Sequence, residues 1–145
     1  MAEIYENNIW QKTGQVLSKS VSGTRSQTAG EYGVIYIARQ PVEVSWVAES
    51  HTVAGSDGGA VTLNIEKLTS GVALGAGEDI LATAFDLKST ADTPVTKKGR
   101  DLVLSKARQL KEGERLAMVL TGTPTDLEDV NISVYFKPLG NGDYR

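Results

Sequence analysis

The chain has 145 residues, a formal net charge of −3, 40% hydrophobic residues and no cysteine. That length suits one domain able to bury roughly two thirds of its unfolded surface without covalent staples. The ordinary apolar content argues against disorder or a membrane class, and the small net charge gives no nonspecific hold on nucleic acid. The missing thiols exclude disulfides, thiolate metal centres and cysteine nucleophiles.

The first thirty residues differ from the rest. Met1-Ala2-Glu3-Ile4-Tyr5-Glu6 is acidic and lacks the apolar run of a secretion signal, so none is expected. Apolar anchors (Ile4, Tyr5, Ile9, Trp10, Val16 and Leu17) are scattered among asparagine, serine and threonine. They are too sparse for a core strand, so residues 1–30 read as an extended N-terminal arm and residues 31–145 as the folded domain. Ile4, Tyr5, Ile9 and Trp10 are the candidate partner-binding residues, because a large ring such as Trp10 gains about 2–3 kcal/mol from burial in a partner's groove. The alternative is that the segment lies on its own domain as an edge strand.

From Gly33 the pattern tightens into period-two alternation, the spacing of a half-buried strand. Gly33–Ala38 is a β-branched and aromatic run ended by Gln40-Pro41. Val42–Val53 alternates, which predicts Val42, Val44, Trp46 and Ala48 on one inward face and His51 on the wetter one. Gly55–Gly59 is a loop, and Ala60–Thr69 is a strand with Val61, Leu63 and Ile65 inward. Gly71–Gly77 is a second glycine-rich connection. Glu78–Leu87 predicts a turn or short helical piece followed by a strand. Thr93-Pro94 marks a loop, and Leu102-Val103-Leu104 opens a strand running towards Leu110. Lys111–Glu114 reads as a tight turn into a strand over Arg115–Thr121. An acidic connection, Thr125–Asp129, leads to a closing strand over Val130–Lys137. Seven or eight short strands divided by turns predict an all-β sandwich or barrel.

Chemistry is sparse along this frame. The lone histidine, His51, offers neither a metal triad nor a Ser-His-Asp set, so it is not read as catalytic. Glu43 and Glu49 share a predicted strand face roughly 20 Å apart, and no carboxylate stands beside an apolar pocket that would raise its pKa. Asp126, Glu128 and Asp129 lack EF-hand spacing and read as a solvated turn, not a metal site. The glycine loops match no phosphate-binding motif. Lys97, Lys98, Arg100, Lys106 and Arg108 read as a solvated strand face that needs no partner. Trp46 is expected to be a packed core residue, not a sugar-stacking platform. No catalytic, cofactor-binding or metal-binding residue is assigned.

Four segments carry a resemblance: Val61–Leu68, Gly71–Gly75, Ile80–Lys88 and Leu110–Ala117. Together they resemble a motif string of small virion proteins of tailed bacteriophages, the jelly-roll cement or decoration proteins that coat capsids. The likeness extends over about Ala60–Phe136, and its most specific piece is the turn into a strand at Gly113-Glu114-Arg115-Leu116. The resemblance implies a jelly-roll-like β-sandwich of about eight antiparallel strands, with no enzymatic activity and no cofactor. It implies attachment to the major capsid protein on the virion exterior as a dimer or trimer, after synthesis in the host cytoplasm, with no nucleic-acid or membrane partner. Proteins of this look also occur in tails and fibres, so the alternative expectation is a receptor-binding module for a glycan or a surface protein.

Overall fold

A computed structural model describes residues 15–24 and 30–139. Ten strands run in chain order: β1 (Gln15–Thr24), β2 (Gly30–Ile37), β3 (Val42–Ser50), β4 (Thr62–Leu68), β5 (Glu78–Asp79), β6 (Phe85–Asp86), β7 (Val95–Lys98), β8 (Gln109–Leu110), β9 (Arg115–Thr121) and β10 (Glu128–Pro138). They form two antiparallel sheets. One runs β1-β10-β3-β7 with β8 also on β3, and the other runs β2-β9-β4-β5 with β6 also on β4. The first strand thus pairs with the last, the second with the next to last, and so on inward. That nested pairing, wrapped over two sheets, is the order of a jelly roll, and the sandwich expected from the alternation is present.

The core lies between the sheets. From the first come Val42, Val44, Val47, Val130, Ile132, Val134 and Phe136; from the second come Val61, Leu63, Ile65, Leu116, Met118 and Leu120. Phe136 stacks on Tyr36, ring centroids 4.2 Å apart, joining the two layers near one end. Strand β10 alternates without interruption, burying Val130, Ile132, Val134, Phe136 and Pro138. Its neighbour β3 does not. Phe136 pairs with Val44 but Tyr135 pairs with Trp46, so Ser45 is an extra residue in the ladder. A one-residue bulge flips every side chain beyond it to the other face. Val42 and Val44 point inward, and then Val47, Glu49 and His51 do so in place of Trp46 and Ala48.

Three other expectations change. The stretch 78–87 has no helical turn; Glu78–Asp79 and Phe85–Asp86 are two short strands on β4, and the Ile80 and Leu81 between them fill the core. The strand expected from Leu102 towards Leu110 is replaced by 3-10 turns at Gly99–Asp101 and Ser105–Arg108, leaving only β8. Leu102 is buried while Leu104 is 84% exposed, so the run has no continuous apolar face to lay on a sheet. Of the basic residues read as a solvated strand face, Lys97 and Lys98 lie on β7, while Arg100, Lys106 and Arg108 fall in the 3-10 turns. The tight turn at Lys111–Glu114 is as expected: Gly113 has φ +88°, and the Glu114 amide bonds the Lys111 carbonyl. Within the segment read as an arm, residues 15–24 are β1, the edge strand beside β10; residues 1–14 lie outside the described residues.

Candidate functional site

Two features of the first sheet carry what chemistry the described residues offer. One is its outer face. With β10 alternating strictly, Asn131, Ser133 and Tyr135 point away from the core, and the register sets partners beside each. One row across four strands is Val16, Tyr135, Trp46 and Lys98; the next is Ser18, Ser133, Ala48 and Thr96. Trp46 and Tyr135 lie 5.9 Å apart with planes 8° from parallel. Ser18 Oγ and Ser133 Oγ are hydrogen-bonded at 3.1 Å. Trp46 is therefore a partly buried member of an outer aromatic pair, not a core residue. The expected core role fails because the bulge at Ser45 turns the ring outward.

The bulge also creates the second feature. Glu49 and His51 now face inward at the end of β3, each 1% exposed. His51 Nδ1 lies 2.7 Å from Glu49 Oε1, and His51 Nε2 lies 3.0 Å from the carbonyl oxygen of Ser89 in the β6–β7 connection. Burial pushes the Glu49 carboxyl up; the His51 hydrogen bond and charge pull it back in part, and the Asp86 charge pushes it further up. Burial alone would lower the His51 ring, but hydrogen bonds to Glu49 and Ser89 and the charges of Glu49 and Asp86 outweigh it, so its pKa is raised. The wet-face placement of His51 is thus overturned. So is the reading that no carboxylate occupies an apolar setting, and Glu43 and Glu49 lie on opposite faces because the bulge falls between them.

Other candidates are structural ties. Glu66, also buried, accepts hydrogen bonds from the amides of Gly75 at 2.5 Å and Gly77 at 3.0 Å, pinning the glycine-rich loop onto β4. Glu43 meets Ser105, Gln109 and Arg108 at the 3-10 turns. In the acidic connection, Asp126 accepts from Ser56 Oγ and Asp129 from Thr52 Oγ1, which fastens that turn to the β3–β4 loop. Among the described residues no three His, Cys, Asp or Glu converge in a metal-holding group. Lys98, Arg100 and Lys106 are exposed, whereas Arg108 donates to the Val103 carbonyl.

The candidate partner-binding residues Ile4, Tyr5, Ile9 and Trp10 lie outside the described residues. Sequence reasoning missed a different apolar surface. Val16 (53% exposed), Val34 (40%) and Ile37 (58%) sit on β1 and β2, the outermost strands of the two sheets on the same side of the sandwich. These edges are 10 and 8 residues long, while the opposite edges β7 and β5 have 4 and 2. An edge strand presents unpaired amides and carbonyls, and proteins commonly keep such edges short or charged. Here the long edges carry exposed aliphatic side chains. The available signal was the run Val34–Ile37, whose β-branched density marks a strand but not whether another strand covers it. No family model matches the chain, and no curated protein matches it.

Proposed function

We propose that this chain is a non-catalytic virion structural protein of a tailed bacteriophage, a decoration protein that binds the major capsid protein on the head exterior as a dimer or trimer. The observation that carries this reading is the β1/β2 side of the sandwich, where two long open edges expose Val16, Val34 and Ile37. Such a side favours strand-to-strand or face-to-edge assembly, and many weak copies on a lattice add up through avidity. The jelly-roll order supports it, being common to viral capsid and lectin domains. The segments that resemble decoration proteins also form one unit: Val61–Leu68 covers β4, and the others supply its loop at Glu66, its short partners and the start of β9.

The test is binding to undecorated capsids, read as copies per particle. The wild-type chain is expected to load in hundreds of copies. Val16→Lys with Ile37→Asp is expected to abolish loading without unfolding the sandwich, since both positions are exposed. Removal of residues 1–14, which carry Ile4, Tyr5, Ile9 and Trp10, is expected to weaken loading. The cut stops before β1, because a longer deletion strips a strand from the first sheet. Equal loading by the edge variant would end the reading.

A second reading, a tail or fibre module for a glycan, is favoured by the Trp46–Tyr135 pair with Ser18, Ser133 and Thr96 beside it. Aromatic faces next to hydroxyls suit sugar rings. A handful of copies per virion, none on the head, would favour it over decoration.

A further inference from the structure

The buried pair at the end of β3 belongs to neither reading of the surface, and its donor and acceptor inventory is restrictive. A backbone carbonyl only accepts, so His51 Nε2, 3.0 Å from the Ser89 oxygen, carries a hydrogen. The other nitrogen, Nδ1, faces Glu49 Oε1 at 2.7 Å. If both the oxygen and Nδ1 were bare, two lone pairs would oppose each other at hydrogen-bond distance in a dry site. One further proton must therefore lie between them, on nitrogen as an imidazolium–carboxylate pair or on oxygen as a carboxylic acid donating to a neutral ring. The second carboxylate oxygen, Glu49 Oε2, is buried with no partner, which makes an ionised Glu49 costly unless the ring opposite is charged.

We propose that Glu49 and His51 share one trapped proton that latches residues 87–94 to the end of β3, and that its loss in alkaline solution releases that loop. The loop has few other ties there. The Asp92 amide bonds the His51 carbonyl at 2.8 Å, and at the other end the Leu87 amide bonds the Val61 carbonyl at 2.9 Å while the Leu87 carbonyl accepts from the Gly55 amide at 2.9 Å. Between them the ring of His51 is the side chain that holds Ser89. The charged groups around the pair come from every neighbouring element. Asp86 lies on β6, and Lys88, directed to the Gly59 carbonyl, and Asp92 lie in the loop. Lys97 on β7 lies over the Phe85 ring, and Asp129 on β10 bonds Thr52. Glu49 and Asp86 both favour the protonated ring. Once the proton leaves, the carboxylate and the bare Nδ1 repel, and the pair relaxes by letting water in, which means opening the loop. The loop leads directly into β7, so the opening is felt at the edge of the first sheet.

The chain has one histidine, so every imidazole signal reports this site. The test titrates the full chain from about pH 6 to about pH 9, following the ring nitrogens and the Glu49 carboxyl carbon by NMR and the loop amides by hydrogen exchange. The expected result is a hydrogen on Nε2 throughout the folded range, with the shared proton lost above the pH at which a free histidine titrates. The amides of residues 89–92 should lose at least about tenfold in protection over the same step, after correction for base catalysis and relative to β9. Glu49→Gln supplies an amide donor to Nδ1 without a titrating proton; its loop is expected to stay protected at both ends of the range. A bare Nδ1 facing an ionised Glu49 at neutral pH would overturn the proposal. Loop protection that ignores the His51 step would do the same, and both readouts come from the wild-type chain even where the variant fails to fold.

Discussion

Trp46 on β3 and Tyr135 on β10 are direct cross-strand neighbours on the outer face of the first sheet, their ring planes 8° from parallel. The pair stabilises a surface, not the core. Replacing Trp46 with alanine is expected to cost about 1–2 kcal/mol, the range of a partly exposed aromatic pair. Replacing Phe136 with alanine, a fully buried ring stacked on Tyr36, is expected to cost about 3–5 kcal/mol. Chemical denaturation of the two variants checks the ranking, and a Trp46 cost equal to that of Phe136 would return the indole to the core.

The sheet class was legible because alternation along β4 and β10 is set by burial on one face, and the apolar residues record it directly. What failed along β3 was phase, not type. Val42 and Val44 were placed correctly, yet a single extra residue at Ser45 reversed Trp46, Glu49 and His51. The bulge exists because β10 must keep Phe136 and Val134 both inward against a β3 whose valines are at 44 and 47. The three-residue spacing of Val44 and Val47 was the available hint. The Glu49–His51 spacing of two was visible too, but Ser89, 38 residues further on, is brought in only by the fold. The exposed edge at Val16, Val34 and Ile37 was hidden for the same reason, since composition reports how apolar a strand is and not whether another strand covers it.

Gly122, just after β9, has φ +100°, and a Cβ placed there would run into the Ala60 carbonyl. Gly122→Ala combines left-handed strain with a clash against backbone, which cannot swing aside as a side chain can. The expected loss is about 2–4 kcal/mol. Gly113→Ala meets the strain but open space, so it should cost about 1 kcal/mol. Thermal melts of both variants separate the two causes; equal shifts would mean that the contact with Ala60 contributes nothing.

Glu66 holds the glycine-rich loop through two backbone amides, one on each carboxylate oxygen. Glu66→Gln replaces one acceptor with an amide donor aimed at another donor, and the expected cost is about 1–3 kcal/mol. Faster hydrogen exchange should be confined to residues 71–77. The same variant has a second readout. Burial, and then the Glu66 charge, raise the Asp79 carboxyl on the neighbouring strand, so removing that charge should lower its titration midpoint. An unmoved Asp79 midpoint would place the cause in burial alone.

Both members of the buried pair have raised pKa values, so the folded chain binds more protons than the unfolded one wherever these groups titrate. The slope of unfolding free energy with pH is then negative: the contribution is fully present in acid and lost on the alkaline side. For Glu49 the loss begins near its ordinary value of 4.5. For His51 it begins near 6.5 and ends once the pH has passed the folded ring's higher value. The slope cannot exceed about 1.4 kcal/mol per pH unit for each proton involved. Asp79 adds a decline of the same sign in acid, so the comparison that isolates the pair is wild type against Glu49→Gln with His51→Gln. The difference between their stability curves is expected to shrink as pH rises through the His51 step. A difference that is constant across neutral and alkaline pH would show that the pair holds no extra proton in the folded chain.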